Sequence, residues 1–171
     1  MKRFLLLFLA TVVTAWSASA QLSVSQLRTE HLTDPVGIGE RRPLLSWEVS
    51  DASRRGVTQS AYEIRVKSGG RTVWRTGKVA SAESAGVFYD GTPLTSDTRY
   101  TWQVRVWDDR GKASAWSRPA FWRTGLFDVG EWQARWIEPA VSDDLAAMFR
   151  RTFRVTKPVA EATVYVTAHG I

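Results

Sequence analysis

Carboxylic acids are the residues most able to do chemistry in this chain, since two that face each other across a pocket can act as general acid and base, for example on a glycosidic bond. The candidates are Glu48, Glu63, Asp108-Asp109 and Asp143-Asp144. Both glutamates alternate with apolar residues, so the pleat of a strand is expected to direct them to solvent. The first aspartate pair suits a hairpin turn, and the second has the composition of a linker around it. No catalytic residue is predicted.

Metal, nucleophile and cofactor chemistry have still less support. His31 and His169 are the only histidines and there is no cysteine, so a zinc site would lack ligands. No serine lies in a Gly-x-Ser-x-Gly turn. The stretch Gly37-Ile38-Gly39 lacks the third glycine and the following helix of a dinucleotide site. The sequence therefore predicts no metal site and no cofactor.

The first twenty residues have the pattern of a signal peptide. Lys2 and Arg3 precede an apolar run over 4–13, and small residues at 18–20 suit cleavage before Gln21. We expect export to the periplasm or the exterior. The apolar run is too short to span a membrane, so no membrane span is predicted. The net charge is +6, but basic residues are interspersed with acidic ones, and no nucleic-acid partner is predicted.

The elements that would position any site are strands. From 22 to 124 apolar and polar residues mostly alternate, and turn-forming residues separate the runs. Three series are expected to bury one face each: Leu45, Trp47 and Val49; Tyr62, Ile64 and Val66; and Tyr100, Trp102, Val104 and Val106. Glu63, Arg65, Gln103 and Arg105 are expected to be cross-strand neighbours on an outer face. Short strands at this spacing predict an all-β sandwich or barrel.

The segment 100–117 is predicted to be a strand, a turn and a second strand. Gly111 can take the positive φ of a bulged hairpin. The following strand is expected over about 116–123, with Pro119 at a sheet edge or bulge. The series Leu94, Thr98, Tyr100, Trp102 resembles the second half of a fibronectin type III domain, a variant of the immunoglobulin-like sandwich. The resemblance implies that Tyr100 is a corner tyrosine whose hydroxyl satisfies exposed backbone.

A longer ordered set of segments narrows this resemblance. The set is LRTEHLTDPVGIGERRPLLSWEV, QSAYEIRV, VWRTGKV, LTSDTRYTWQVRVWDDRGKASAWS and WQARWIEP. It is similar to the amino-terminal accessory region of bacterial α-L-rhamnosidases, glycoside hydrolase family 78. In that family, terminal rhamnose is released with inversion by acidic residues of a later helical barrel. The resemblance therefore implies an accessory part that is inactive alone, with the remaining domains of the parent enzyme as partners.

The remainder of the chain is predicted to be a linker and an incomplete second domain. Residues 126–144 lose the alternation, which is typical of a linker or docking segment. Strands are expected over 148–155 and 162–168, and the resemblance implies that 145–171 begins a jelly-roll-like second sandwich. Two strands cannot bury a face alone. The expected organisation is a signal peptide over 1–20, a sandwich over 22–125, this linker, and a truncated second sandwich.

Outward-facing aromatic residues leave one further functional possibility. An indole face can cover the apolar face of a sugar ring, or it can pack against a neighbouring domain. Trp107 is predicted to lie on the solvent side of its strand, and Trp74 and Trp122 are further candidates. Together with the resemblance to α-L-rhamnosidases, these residues make rhamnose-containing glycans candidate ligands. A different interpretation, a free-standing secreted module that binds carbohydrate or protein, stays open.

Overall fold

A computed structural model describes residues 22–139 and 148–168 of the chain. The signal peptide predicted over 1–20, Asp143-Asp144 and His169 lie outside these residues. The chain divides into two units after Gln133, and each is described by itself.

The described residues of the first unit, from 22 onward, contain eight β-strands. They are β1 Ser23–Thr29, β2 Val36–Ile38, β3 Leu44–Ser50, β4 Gln59–Ser68, β5 Arg71–Arg75, β6 Val87–Phe88, β7 Arg99–Asp108 and β8 Ala120–Thr124. One sheet has three strands in the order β1-β3-β6, and the other has five in the order β2-β8-β7-β4-β5. A single 3-10 turn follows at Val129–Glu131, and no α-helix occurs among the described residues. The all-β prediction is confirmed.

Strand β2 is the one parallel member of the five-stranded sheet, and it pairs with β8. The peptide N–H of Arg123 donates to the carbonyl of Pro35 at 2.9 Å, and that of Gly125 donates to the carbonyl of Ile38 at 2.8 Å. The chain therefore begins in one sheet with β1 and continues in the other with β2.

The hydrophobic core lies between the two sheets, where the alternating series of the sequence meet. Leu45 and Trp47 of β3 face the buried residues of β4 and β7. The inward residues predicted for these strands are all buried, except Val49, which is half-buried at the edge of the core. Apolar burial of this kind contributes roughly 25 cal/mol per Å², so the core is the main stabilising feature of this unit.

The corner before β7 has the predicted tyrosine arrangement. The peptide N–H of Thr95 donates to the hydroxyl of Tyr100 at 2.9 Å, and the ring of Tyr100 is buried. Leu94 is buried beside it. The phenol thus fills the core edge while its oxygen satisfies a backbone group that the turn leaves without a strand partner.

The turn after β7 is also as predicted, but the next strand begins later than expected. Gly111 has φ 74°, and its N–H donates to the carbonyl of Asp108 at 2.9 Å. The predicted strand over 116–123 is wrong at its start, since β8 begins at Ala120. In the segment between the turn and β8, the hydroxyls of Ser114 and Ser117 accept hydrogen bonds from backbone N–H groups of β7, in place of regular strand pairing.

The second unit has no strand among its described residues, 134–139 and 148–168. The strands expected over 148–155 and 162–168 are therefore absent from the structure. Their apolar side chains are exposed, as in Phe153 at 79% and Val164 at 83%. A strand is stable in water when its apolar face packs on a second layer, and the described residues of this unit supply no such layer.

Candidate interaction face

The outer face of the five-stranded sheet carries charged and aromatic side chains that could meet a partner. Strands β4 and β7 pair in register, with Glu63 opposite Arg105 and Arg65 opposite Gln103. These four side chains point away from the core, because their neighbours along each strand point into it. The predicted cross-strand polar neighbours are thus brought together.

Five side chains on this face alternate between cation and indole, and we call them the cation–indole ladder: Lys78, Trp107, Arg105, Trp116 and Arg65. The Lys78 Nζ lies 4.7 Å from the Trp107 ring centroid. The Arg105 Cζ lies 5.0 Å from the centroids of both indoles. The Arg65 Cζ lies 4.2 Å from the Trp116 centroid. These distances are within the range of cation–π attraction.

Glu63 lies beneath this face, and the prediction that its carboxylate points to bulk solvent is wrong. Its side chain is only 3% exposed. Its Oε1 accepts a hydrogen bond from Arg75 Nε at 2.6 Å, and its Oε2 accepts one from Arg105 Nε at 2.7 Å. The pleat does direct the carboxylate outward, but the two arginines of the neighbouring strands cover it.

The ionisation of Glu63 follows from these contacts. Burial raises the pKa of the carboxyl group, but the hydrogen bonds and positive charges of Arg75 and Arg105 outweigh burial and hold the pKa of Glu63 below its usual range. Both carboxylate oxygens accept hydrogen bonds from guanidinium groups, and the lowered pKa makes Glu63 a weak general base. Its role is to fix two arginines.

Arg65 is fixed by a neutral partner instead. Its Nε and one terminal nitrogen donate to the Oε1 of Gln103 at 3.1 and 2.8 Å. The Gln103 amide in turn donates to the carbonyl of Ser117 at 2.7 Å. The guanidinium is held in place without a carboxylate, and its positive charge is not neutralised by this contact.

Two serines position Trp116. The peptide N–H groups of Ser114 and Ser117 donate to the carbonyls of Val106 and Val104, both at 2.8 Å. Their hydroxyls accept hydrogen bonds from the N–H groups of the same two valines, at 3.0 and 3.1 Å. Each serine therefore satisfies both backbone groups of one β7 residue. This serine clamp was not predicted, and its signal in the sequence is two serines three residues apart around a tryptophan.

The three tryptophans singled out from the sequence have different environments. Trp107 is half-buried on the outer face, within the ladder. Trp74 packs on Tyr89 with ring centroids 5.0 Å apart, and it contacts the core. The outward orientation expected for Trp122 is wrong, because this residue is fully buried and stacks on Tyr100 at 5.3 Å. Since Tyr100 is paired with Trp122 across β7 and β8, both rings share the core face.

The other candidate carboxylates either are exposed or have partners in their own turn. Glu48 is exposed, as predicted. Asp108 lies in the hairpin turn, where its Oδ1 accepts from the N–H groups of Arg110 and Lys112 at 3.0 and 2.7 Å. Arg54 pairs with both Asp108 and Asp109. Within 22–139 and 148–168, no group of three histidine, cysteine or acidic residues could hold a metal ion.

One shallow cavity of about 240 Å³ lies at the β6 end of the first unit. Arg42 and Asp90 line it and pair with each other at 3.1 Å. The Tyr89 hydroxyl, also in its wall, donates to the Thr92 carbonyl. The cavity thus offers one carboxylate, already paired, and lacks the two facing acids of a glycosidase.

The described part of the chain contains no helix of the length and apolarity needed to cross a bilayer.

The two packed sheets, the tyrosine corner and the buried tryptophans define an immunoglobulin-like β-sandwich of the fibronectin type III kind. Residues 24–128 match the model of the Rha78A-like, N-terminal immunoglobulin domain. The chain belongs to this family.

Comparisons with individual proteins agree with that assignment. The chain is 36% identical over 179 residues to an α-L-rhamnosidase of Streptomyces avermitilis, covering 88% of this chain and 17% of the relative. The crystal structure of a Streptomyces avermitilis α-L-rhamnosidase complexed with L-rhamnose superposes with a TM-score of 0.67 at 44% identity, over 70% of this chain and 12% of that one. The structure of the α-L-rhamnosidase from Dictyoglumus thermophilum superposes with a TM-score of 0.64 at 33% identity, over 68% of this chain and 14% of that one. The chain thus spans about a sixth of the length of the first curated relative.

Proposed function

We propose that this chain is the non-catalytic amino-terminal part of an exported α-L-rhamnosidase. The observation that carries the proposal is the match of 24–128 to an amino-terminal domain whose relatives are α-L-rhamnosidases several times longer than this chain. The parent enzyme would hydrolyse terminal α-L-rhamnose from glycosides and glycans with inversion. The acids that react would lie in a later part of the parent.

The described residues support an accessory role. Glu63, the most buried carboxylate of the outer face, is occupied on both oxygens by Arg75 and Arg105. The Asp108 carboxylate accepts hydrogen bonds from the backbone N–H groups of its own hairpin turn. An accessory sandwich needs no acid and base, and its natural partners are the remaining domains of the parent enzyme.

The proposal extends to the ends of the chain. Residues 1–20 would be the signal peptide for export to the periplasm or the exterior, and 126–144 a linker or docking segment. Residues 145–171 would begin a second β-sandwich. The exposed apolar side chains of 148–168, such as Phe153 and Val164, would become buried when later strands complete that sandwich.

The test compares the purified chain with the product of the complete gene from the same source. Both are incubated with an aryl α-L-rhamnoside, and the anomer of the first-formed rhamnose is followed by NMR. We expect turnover with inversion by the complete protein and none by this chain. Turnover by this chain above a blank would overturn the accessory role, and a complete protein without rhamnosidase activity would overturn the assignment.

A further inference from the structure

The cation–indole ladder and its surroundings carry more positive than negative charge. Lys78, Arg65, Arg75 and Arg105 stand against a single carboxylate, Glu63, which is already bound by two of them. No described carboxylate lies within 4 Å of Lys78, nor of Arg65, whose hydrogen-bonding partner is the neutral Gln103. A surface with this excess of cations attracts an anionic partner.

The indoles of the ladder are poor platforms for a neutral sugar. Two cations lie within 5.0 Å of the centroid of Trp107, and two lie equally near that of Trp116. A sugar ring that stacks on either indole would therefore compete with these cations for the ring. Recognition at this face therefore depends on charge.

The three cations of the ladder also lie close together. Arg105 lies 5.0 Å from both indole centroids, and Lys78 and Arg65 lie 4.7 and 4.2 Å from the same rings, so neighbouring cations are at most about 10 Å apart. A linear polyanion that lies along this face could therefore contact Lys78 and Arg65 together. Guanidinium groups bind carboxylate and sulfate oxygens well.

We propose that the cation–indole ladder binds an acidic polysaccharide, with Lys78 and Arg65 contacting its carboxylate or sulfate groups. This inference rests on the proposed function, because an enzyme that removes rhamnose from a glycan gains from an accessory domain that holds the polymer. Rhamnose itself is neutral, so the charge of this face is directed at acidic sugars elsewhere in the polymer. The ladder would thus keep the substrate near the enzyme without touching the bond that is broken.

The experiment uses affinity electrophoresis of the purified chain in gels that contain one polymer each. Hyaluronate is the probe, since it carries one carboxylate per disaccharide. Hydroxyethyl cellulose is the neutral control, and poly-L-glutamate represents an acidic protein surface. The ladder variant is Lys78→Gln/Arg65→Gln. The matched control, Arg28→Gln/Arg55→Gln, removes the same charge from β1 and from the loop after β3, where both side chains are exposed.

We expect retardation by hyaluronate, weakening with salt, and none by hydroxyethyl cellulose. The ladder variant should bind hyaluronate about tenfold more weakly, and the control should stay within about twofold of the parent. Equal losses in the two variants would show attraction by net charge alone and overturn the proposal. So would the absence of retardation, or tighter binding to poly-L-glutamate, which would indicate an acidic protein surface as the partner.

Two further measurements keep the outcomes distinct. Circular dichroism melting of both variants identifies any loss of binding caused by unfolding, and Lys78→Gln alone, at a position with solvent access, provides a second variant with little structural risk. Hydrolysis of an aryl rhamnoside by the complete enzyme does not involve the ladder, because that substrate is small and neutral. Activity there with no binding to hyaluronate would refute this inference and leave the proposed function intact.

Discussion

The sandwich and the segment 148–168 have similar sequence patterns but different structures. The first forms strands with a buried face, and the second has no strand and exposes its apolar side chains. Both largely alternate apolar and polar residues, as in β7 and, apart from Arg151, in the stretch from Phe149 to Val155. In the sandwich the apolar face of β7 is buried against a second sheet, whereas Phe153 is 79% exposed. Alternation therefore defines a face, but a second layer is needed before that face stabilises a strand.

The strongest test of this comparison removes one aromatic side chain from each region. Trp122→Ala should lower the free energy of unfolding by about 3–5 kcal/mol, because it empties a fully buried site beside Tyr100. Phe153→Ala should change it by less than about 0.5 kcal/mol, since its side chain is largely exposed. Urea unfolding followed by circular dichroism measures both. Equal effects would mean that the two regions are packed alike.

Replacing the buried carboxylate tests the outer face of the sandwich. Glu63→Gln should cost about 2 kcal/mol at pH 7, less than the roughly 3–5 kcal/mol of a fully buried ion pair, because Arg75 and Arg105 keep partial access to water. Arg65→Gln is the matched control on the same strand face, where the lost contact is to a neutral amide. Its cost should be clearly smaller in the same urea titration.

The pH dependence of the unfolding free energy provides a second test of the Glu63 ion pairs. The pKa of Glu63 is lower in the folded chain than the unfolded value of about 4.3, so the ionised carboxylate stabilises the fold above that pH. This contribution is lost as the pH falls through the folded pKa. The difference in unfolding free energy between the parent and Glu63→Gln should therefore shrink between pH 7 and pH 3. A difference that stays constant would contradict the ion-pair explanation.

The corner tyrosine should have a smaller effect. Tyr100→Phe keeps the ring but removes the acceptor of the Thr95 N–H, at a cost of about 1.5 kcal/mol. Tyr62→Phe is the control, because the Tyr62 hydroxyl has no hydrogen-bond partner among the described residues, and it should be close to neutral. Thermal melting of the two variants separates the hydroxyl from the ring. Similar shifts in Tm would show that the hydrogen bond from Thr95 to the Tyr100 hydroxyl does not contribute to stability.

The serine clamp should show the smallest effect. Ser117→Ala removes the acceptor of the Val104 N–H inside the sandwich and should cost about 1 kcal/mol. Ser23→Ala, which removes an exposed contact with Ser50, should cost less than about 0.5 kcal/mol. Hydrogen exchange at the Val104 amide is the direct measurement. Unchanged protection in Ser117→Ala would show that the hydroxyl is not the acceptor in solution.

Local sequence patterns predicted the parts of the fold that depend on neighbours along the chain. The inward series of β4 and β7 and the turn at Gly111 follow from alternation and turn chemistry. Glu63 was misplaced because alternation gives the direction of a side chain and not the groups that cover it, and Arg75 and Arg105 come from other strands. Trp122 was misplaced because its face depends on the register of β8 with β7, in which it is paired with the inward Tyr100.

The outer face could be predicted only in part for the same reason. The pairing of Arg65 with Gln103 follows from the polar positions of β4 and β7. The cation–indole ladder also needs Lys78 and Trp116, which lie outside the strands. The position of Trp116 depends on serine hydroxyls that take the place of regular backbone pairing with β7. Such contacts depend on register and side-chain geometry, which a single sequence does not display.

The position of β8 has a mechanical consequence. It is flanked by β2 on one side and β7 on the other, so it is an interior strand although it is the last of the sandwich. Tension that arrives from residues beyond Thr124 would pull along this strand and load both rows of hydrogen bonds together, instead of peeling one row open bond by bond. The sandwich is thus joined to the later residues of the chain through a strand suited to resist force.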